Sequence, residues 1–391
     1  MKTPLILSIL LVLGSYNYVG AQEPDTLMKL VLENNRNLKA AREAYHVAIL
    51  EAGTGNTPPD PKVEFGYLFG KPEDMGNRVD FGVTQQLDFP TAYFQRSKIK
   101  KILSSQAELE YVLARQDVLL EARQLWIKQV HLNQLRSLLE ERLQQAEAIQ
   151  KHVEQKLEAG EVGLLELSQS KLLLASLSGE YEEMLSLTEN NKLALKEITG
   201  GVEMDIQNTL LPQTAPVVTD TMIEAYRMSP YVQYYNHGLE MKEEEKNLAV
   251  SQHLPKLSAG YYSETVSNEA FRGFRLGLTV PLWEKANTVN KAKSEVAFAE
   301  AELERYTFHQ EKEIRQKLNQ LESLRSRADQ LEEALGTANT LSLLATSLEN
   351  GEISYSEYFY SSDFYFRNQQ LLLRYKKEQL LQEAELMKIY L

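Results

Sequence analysis

The chain has 391 residues, a formal net charge of −13 and no cysteine. Without cysteine, a disulfide framework, thiolate catalysis, cysteine-ligated metals and a lipidated N-terminal cysteine are excluded. The acidic balance argues against nucleic acid as a partner. The length allows two ordinary domains, whereas the low content of glycine (19) and proline (12) favours long solvated helices over a large globular core.

The first 21 residues have the pattern of a secretory signal peptide. Lys2 precedes an apolar stretch, and the small residues Val19, Gly20 and Ala21 come before the expected cleavage site. After that point no stretch has eighteen consecutive apolar residues, so the sequence predicts no transmembrane helix. If the secreted chain enters a bilayer, it must do so as strands.

The sequence nearly repeats itself at a spacing of about half its length. Residues 157–166 return as residues 348–357, and residues 61–67 return as residues 255–261. A period this long indicates a duplicated unit rather than a solenoid of short repeats. We therefore expect the following organisation: a signal peptide at 1–21, a first repeat at 22–198, a surface connector at 199–220 and a second repeat at 221–391.

Each repeat is predicted to contain a short helix, two strands, a long helix and a further helix. No glycine or proline lies between Pro90 and Gly160, and a helix of that extent would reach about 100 Å. Apolar residues follow it at steps of three and four, which indicates coiled-coil-like packing. The predicted helices are about 26–52, 91–159 and 161–198 in the first repeat, and about 221–250, 284–348 and 352–391 in the second.

Between the short and long helices the hydrophobic period changes to two, which predicts strands at about 62–70, 78–89, 256–266 and 273–283. Segments of this length with one apolar and one polar face are typical of transmembrane β-barrels, although a two-sided sheet in a soluble domain gives the same pattern. The secretion signal favours the barrel.

Four strands cannot close a barrel in lipid without leaving unpaired edges. Two copies would give eight strands with a filled interior, whereas three would give twelve strands and leave room for a channel. We therefore predict a homotrimer.

This order of elements, found twice after a signal peptide, resembles the TolC-like outer-membrane efflux proteins. The most specific segments are the two Gly-Glu turns at 159–167 and 350–358, supported by the strand ends at 87–90 and 280–283. The resemblance covers nearly all of the mature chain. It implies a mainly α fold with a trimeric α-barrel tunnel across the periplasm. A small membrane portion would form a twelve-stranded β-barrel, with four strands per chain, in the outer membrane of a Gram-negative bacterium.

The resemblance also implies functional sites at the two turns. In that family the turns form the periplasmic tip, where a periplasmic adaptor (membrane fusion) protein docks and where an iris of helices opens. The corresponding residues are Gly160, Glu161, Val162, Gly163, Leu164, Leu165, Gly351, Glu352, Ile353, Ser354 and Tyr355. Candidate charges at the tunnel entrance are Glu158, Glu161, Glu349 and Glu352. Plain helix-hairpin turns and solvated helix ends remain the alternatives.

The sequence predicts no catalytic, cofactor or metal site. His309 lies one helical turn from Glu313, and Glu43 lies three residues from His46, but neither pair has a third ligand at a diagnostic spacing. Phosphate-binding loops, GxSxG and compact Ser/His/Asp arrangements are missing from the sequence. An enzyme is therefore not expected.

The predicted function is passive conduction, as the exit duct of a tripartite efflux or type I export system. By resemblance, the partners are the adaptor, an inner-membrane pump of RND or ABC type, and outer-membrane lipid. The alternative is a secreted periplasmic coiled-coil scaffold without a pore, and a pump adaptor fits the twofold repeat less well. The sequence leaves the cargo open.

Overall fold

The computed structural model describes residues 22–72, 76–212, 219–266, 269–336 and 339–391. The predicted signal peptide at 1–21 lies outside these residues. Among the described residues, no helix is both long and apolar enough to cross a membrane.

Helices dominate the described chain, and its four strands belong to one sheet. The helices are α1 (Gln22–Asn34), α2 (Arg36–Ala52), α3 (Pro90–Glu158), α4 (Leu164–Ile198), α5 (Thr219–Arg227), α6 (Pro230–Ser251), α7 (Thr288–Gly336), α8 (Thr340–Glu349) and α9 (Tyr355–Leu386), followed by a 3₁₀ turn at Met387–Tyr390. The strands are β1 (Lys62–Leu68), β2 (Arg78–Leu87), β3 (Lys256–Val266) and β4 (Glu269–Thr279).

The first short helix is two helices rather than the single one predicted at 26–52. The break falls at Asn35, whose side chain is buried and donates a hydrogen bond of 2.8 Å to the backbone carbonyl of Ile198. A side chain that satisfies a distant carbonyl in this way fixes the break. The sequence pattern contained no sign of this long-range contact.

The short helix predicted at 221–250 is also divided, into α5 and α6. Ser229 adopts an extended backbone conformation and caps α6, accepting a hydrogen bond of 3.5 Å from the Val232 amide. Pro230 follows at the first helical position, where its missing N–H has no partner to lose. The Ser-Pro pair therefore starts a new helix, and a single helix through it was the wrong prediction.

The long helix predicted at 284–348 begins later and is interrupted. Asn287 has φ of +64°, a conformation that cannot belong to a right-handed helix, so α7 begins after it. The helix ends in the described chain at Gly336, and Asn339 has ψ of 69° before α8 begins. The predicted helix is therefore interrupted near Gly336, which is the only glycine in the predicted segment.

All four strands form one antiparallel sheet in the order β1-β2-β3-β4. The first three lie close to their predicted positions, but the fourth occupies 269–279 instead of 273–283. Val266 pairs with Glu269, so pairing starts almost directly after β3 ends. At the other end Pro281 has no N–H to donate to a ladder, and pairing stops at Thr279.

The register assigns the two faces of the sheet. Paired positions place Phe65 beside Phe81, and Tyr261 beside Phe274, on one side, here the apolar face. The opposite side, here the polar face, carries every charged strand residue except Arg272. These charged residues are Lys62, Glu64, Arg78, Asp80, Lys256, Glu264, Glu269 and Arg275.

The chain divides into two compact units. The helical unit comprises the described parts of Met1–Asn35, Glu121–Thr214 and Arg327–Leu381. The sheet unit comprises the described parts of Arg36–Leu120, Ala215–Ser326 and Gln382–Leu391. Helix α3 contributes residues to both units.

Each unit has its own buried apolar clusters. In the helical unit the predicted stripe of α3 faces α4, where Leu132 and Leu139 pack on Met184. In the sheet unit a cluster joins α5, α7 and α9, with Tyr226, Ile314 and Leu386 among its buried members. The stripe on α3 was predictable from its helical spacing.

The predicted connector is held on the helical unit over its described part. Ile206 is buried, and the Asn133 side-chain amide donates hydrogen bonds of 2.7 Å and 3.0 Å to the carbonyls of Ile206 and Asn208. Its other end is shorter than predicted, because α5 begins at Thr219. Part of this connector is therefore packed rather than purely a surface segment.

Candidate functional site

The predicted site residues lie at two helix turns of the helical unit. After α3, Gly160 has φ of +76°. Its amide donates to the Leu157 carbonyl at 2.9 Å, and the Glu161 amide donates to the Lys156 carbonyl at 2.8 Å. These two bonds form a Schellman motif, in which glycine ends the helix because it has no Cβ to strain in the left-handed region.

The second turn repeats the first bond for bond. Gly351 has φ of +72°, its amide donates to Leu348 at 3.1 Å, and the Glu352 amide donates to Ser347 at 2.8 Å. A side chain added at either glycine would meet no atom within 4 Å. Backbone conformation, not crowding, therefore requires glycine at both turns.

The helices that follow the turns are capped by glutamates. The Gly163 amide donates to Glu166 Oε2 at 3.0 Å, and the Ser354 amide donates to Glu357 Oε2 at 2.8 Å. At the second turn the Glu357 amide also donates to Ser354 Oγ at 3.2 Å, which completes a capping box. The Ser354 amide lowers the pKa of the Glu357 carboxyl by hydrogen bonding to its charged form.

The predicted site residues do not include these two capping glutamates. The signal was present, because Ser354 and Glu357 have the spacing of a capping box. Predicting α4 from 161 and the last helix from 352 placed the helix starts three residues too early. The correct starts, at Leu164 and Tyr355, follow the caps.

An apolar cluster joins the two turns. Its buried residues are Val153, Tyr358 and Phe359, and partly buried residues from both turns pack against them, including Val162 and Ile353. Burial raises the pKa of the Tyr358 hydroxyl. The structure thus brings the two predicted turns together as one site, here called the paired tip.

Polar and aromatic contacts add to this cluster. Ser356 Oγ donates to Gln169 Oε1 at 2.7 Å, which links α9 to α4. The rings of His152 and Tyr355 lie 6.2 Å apart between their centroids. The predicted site residue Tyr355 is therefore partly buried inside the paired tip rather than fully presented to solvent.

The first turn, in contrast, exposes apolar surface. Leu164 is 75% exposed and Leu165 is 64% exposed at the start of α4. Two adjacent leucines left in water at a helix start contribute nothing to the cluster behind them. They are the feature of the paired tip that most resembles a binding surface.

The four candidate carboxylates are all exposed, but they have different surroundings. Glu161 forms an ion pair with Lys156, and this carboxylate raises the pKa of the Lys156 ammonium group. Glu352 accepts a hydrogen bond of 3.0 Å from Ser347 Oγ. Glu158 and Glu349 occupy the last turns of α3 and α8.

Behind the paired tip, a buried arginine links three helices. The Arg142 side chain on α3 is only 5% exposed and forms an ion pair with Asp363 on α9. Its second nitrogen lies 3.7 Å from Glu180 on α4, and its guanidinium carbon lies 5.2 Å from the centroid of the Phe366 ring. We call these four residues the arginine layer.

The possible metal pairs remain isolated. His309 Nδ1 lies 3.8 Å from Glu313 Oε2, on an exposed helix face. Within the ranges that the structure describes, no group of three or more His, Cys, Asp or Glu side chains could hold a metal ion.

No protein-family model matches this sequence, and no curated protein is significantly similar to it. Solved structures do match. The outer membrane channel CmeC of Campylobacter jejuni superposes with a TM-score of 0.78 at 18% identity, covering 94% of this chain and 85% of that chain. VceC, an outer membrane protein of Vibrio cholerae, gives a TM-score of 0.76 at 14% identity, covering 93% and 95%.

The open state of the MtrE outer membrane channel of Neisseria gonorrhoeae also matches, with a TM-score of 0.67 at 12% identity and coverage of 94% and 88%. The chain therefore has the fold of these channels. It is the TolC-like fold that the two Gly-Glu turns and the duplicated strands predicted.

We expect Arg142→Met to lower the free energy of unfolding by about 2 kcal/mol, because it breaks the buried ion pair with Asp363 and leaves this carboxylate paired only with the exposed Arg367, 2.7 Å away. Urea unfolding of the detergent-solubilised protein, followed by circular dichroism, measures this change. Arg136→Met is the matched control on the same helix: Arg136 and Glu140 are exposed, and their pair is worth about 0.5 kcal/mol or less. Equal losses in the two variants would contradict a special role for the arginine layer.

Proposed function

We propose that the chain is the outer-membrane exit duct of a tripartite efflux or type I export system in a Gram-negative bacterium. It conducts passively and performs no enzymatic reaction. Its fold supports this proposal, because the superposable chains include several outer membrane channels. The main structural support for the proposal is the exposed apolar face of the sheet.

The apolar face of the sheet is too exposed for a water-soluble protein. Phe274 is 89% exposed and Leu276 is 83% exposed, and Phe65 on β1 is 71% exposed. An apolar surface of this kind needs lipid or protein to cover it. Lipid suits it best, because the opposite face of the same strands carries the charges.

The sheet edges require further copies of the chain. Among the described strands, β1 and β4 each have a neighbour on one side only. Unpaired N–H and C=O groups in hydrocarbon destabilise by several kcal/mol each. A trimer closes β4 of one copy onto β1 of the next and gives twelve strands, enough for a water-filled lumen.

The paired tip is the proposed docking site for a periplasmic adaptor protein. Leu164 and Leu165 offer the exposed apolar surface, and the arginine layer holds the helices behind them in place. The adaptor would connect the duct to an inner-membrane pump of RND or ABC type, which supplies the energy. The remaining predicted tip residues take part by shaping the two turns.

The carboxylates Glu158, Glu161, Glu349 and Glu352 are proposed to give the tunnel entrance its negative charge. Three copies would multiply each exposed carboxylate into a ring, and such rings attract cations in channels. Their position next to the two Schellman turns supports this assignment.

Conductance of the mature, detergent-purified protein in a planar lipid bilayer tests the duct. We expect discrete current steps from a species whose native mass is three times that of the chain. A monomer that stays in solution and never inserts would instead support the scaffold alternative. If a membrane-inserted trimer is silent, the same recording is repeated with Arg142→Met, which loosens the layer behind the tip, and continued silence would contradict the proposal.

Docking is tested by photo-crosslinking in the native cell envelope. A photoreactive residue in place of Leu165 is expected to give an adduct with a periplasmic protein that is anchored in the inner membrane. Leu193, on the same helix and 58% exposed, is the matched control position. An equal yield of the same adduct at both positions would show that the tip is not the docking site.

The entrance charges are tested with two matched quadruple variants. Replacing all four glutamates by Gln is expected to lower the potassium over chloride permeability ratio by about twofold or more, because three copies lose twelve charges in total. Replacing them by Asp keeps the charge and should preserve the ratio. Reversal potentials in a KCl gradient measure both. Unchanged selectivity in the Gln variant would remove these residues from the entrance.

A further inference from the structure

One arginine on the polar face of the sheet is stacked on a tyrosine instead of paired with an acid. The guanidinium carbon of Arg275, on β4, lies 3.9 Å from the centroid of the Tyr262 ring, on β3. This distance is within the range of a cation–π interaction. Such a contact holds the guanidinium in place without neutralising its charge.

The neighbouring strands are shaped to accept the tyrosine ring. Gly82 on β2 pairs with Tyr262, and a Cβ at Gly82 would lie 3.0 Å from the ring. The Tyr262 hydroxyl group lies 3.4 Å from Glu64 Oε2 on β1. Glu64, Gly82, Tyr262 and Arg275 thus form a band across all four strands, here called the tyrosine band.

Arg275 differs from two other cations of the polar face in having an uncompensated charge. Lys62 lies 2.5 Å from Glu64, and Arg78 lies 2.7 Å from Asp80. Within the described sequence, neither Arg275 nor Lys256, which lies at the start of β3, forms an ion pair with a carboxylate. The tyrosine band therefore places one unpaired positive charge at mid-strand.

The distribution of glycine indicates which face is enclosed. Every glycine within the four strands lies on the polar face: Gly66, Gly82, Gly260, Gly273 and Gly277. Added Cβ atoms would lie 2.5 Å from Ser258 Oγ at Gly277 and 2.7 Å from the Val83 carbonyl oxygen at Gly260. At Gly273, in contrast, an added Cβ would meet no atom within 4 Å. Glycine therefore permits close approach at Gly260 and Gly277, as expected on the inner side of a closed sheet.

We propose that Arg275, positioned by Tyr262, sets the ion selectivity of the barrel lumen. This inference rests on the proposed function, since it requires three copies closed into a barrel with the polar face inside. Three guanidinium groups then form a layer that attracts anions. This layer is separate from the carboxylates proposed at the tunnel entrance.

Arg275→Gln and its matched control Arg272→Gln test the assignment. Both lie on β4 and lose one positive charge, but the register places Arg272 on the apolar face with Phe274. We expect Arg275→Gln to lower the chloride over potassium permeability ratio by about twofold or more, as removal of a charged ring from a lumen does. Arg272→Gln should leave the ratio at the wild-type value.

Two further changes test the rest of the tyrosine band. Glu64→Gln is expected to raise the chloride over potassium ratio, because it removes the acid that neutralises Lys62. Tyr262→Phe keeps the aromatic face under Arg275 and should preserve the ratio, whereas Tyr262→Ala should lower it. If Tyr262→Phe and Tyr262→Ala behave alike, the ring does not position the guanidinium.

Since the chain has no cysteine, single cysteines can report the orientation of each face. A charged, membrane-impermeant thiol reagent should reduce the current through Arg275→Cys and leave that through Phe274→Cys unchanged. Reaction at both positions or at Phe274→Cys alone would overturn the proposal.

The outcomes separate this inference from the proposed function. A wild-type protein that forms no trimeric channel overturns both. If the wild-type protein forms a channel and Arg275→Gln has the same selectivity as the wild type and as the control Arg272→Gln, only the role of Arg275 is overturned. The proposed duct is unaffected by that result.

Discussion

The open edges of the four-stranded sheet are the constraint on which the rest of the structure depends. Within the part of the chain that the structure describes, each edge strand has one row of backbone N–H and C=O groups without a strand partner, and the apolar face between the edges is exposed. Water could satisfy the edges but not the apolar face, and lipid could cover the face but not satisfy the edges. Further copies of the same sheet can pair the edges while lipid covers the apolar face, which is why we propose a closed assembly of three chains in the membrane.

The duplication explains why the paired tip is built from two similar turns, and divergence explains why the turns differ. In both repeats a glycine ends the helix before the turn, and a glutamate caps the helix after the turn. The second repeat adds Ser354, which completes its capping box. The first repeat instead presents Leu164 and Leu165 to solvent. A common backbone thus supports two surfaces of different chemistry.

Local patterns made much of the fold predictable. The period-two alternation gave both faces of the sheet, and steps of three and four gave the buried stripe of α3. The incorrect element boundaries also have local causes, but these causes are harder to recognise in a sequence. The strand β4 was placed four residues too late because its apolar alternation continues past Thr279, although Pro281 cannot pair. Helix α7 begins later than predicted because the backbone of Asn287 is left-handed. Asparagine adopts this conformation only in some contexts.

Contacts that join distant parts of the chain could not be predicted in this way. Asn35 breaks a helix because it reaches the Ile198 carbonyl, and Asn133 holds the connector through two carbonyls far along the sequence. Both residues look like ordinary polar positions in the sequence. The pairing of Arg142 with Asp363 is of the same kind, since its partners come from two repeats.

At the paired tip, some interactions stabilise each helix hairpin by itself, and others join the two hairpins. The Schellman turns and helix caps are local to each hairpin, so relative movement of the hairpins leaves them intact. The arginine layer and the cluster around Val153 and Phe359 join one hairpin to the other. Any separation of α9 from α3 must therefore break the Arg142–Asp363 pair and expose apolar side chains together. The loss of this ion pair and the exposure of apolar surface both oppose the same movement, so together they stabilise the joined arrangement of the two hairpins.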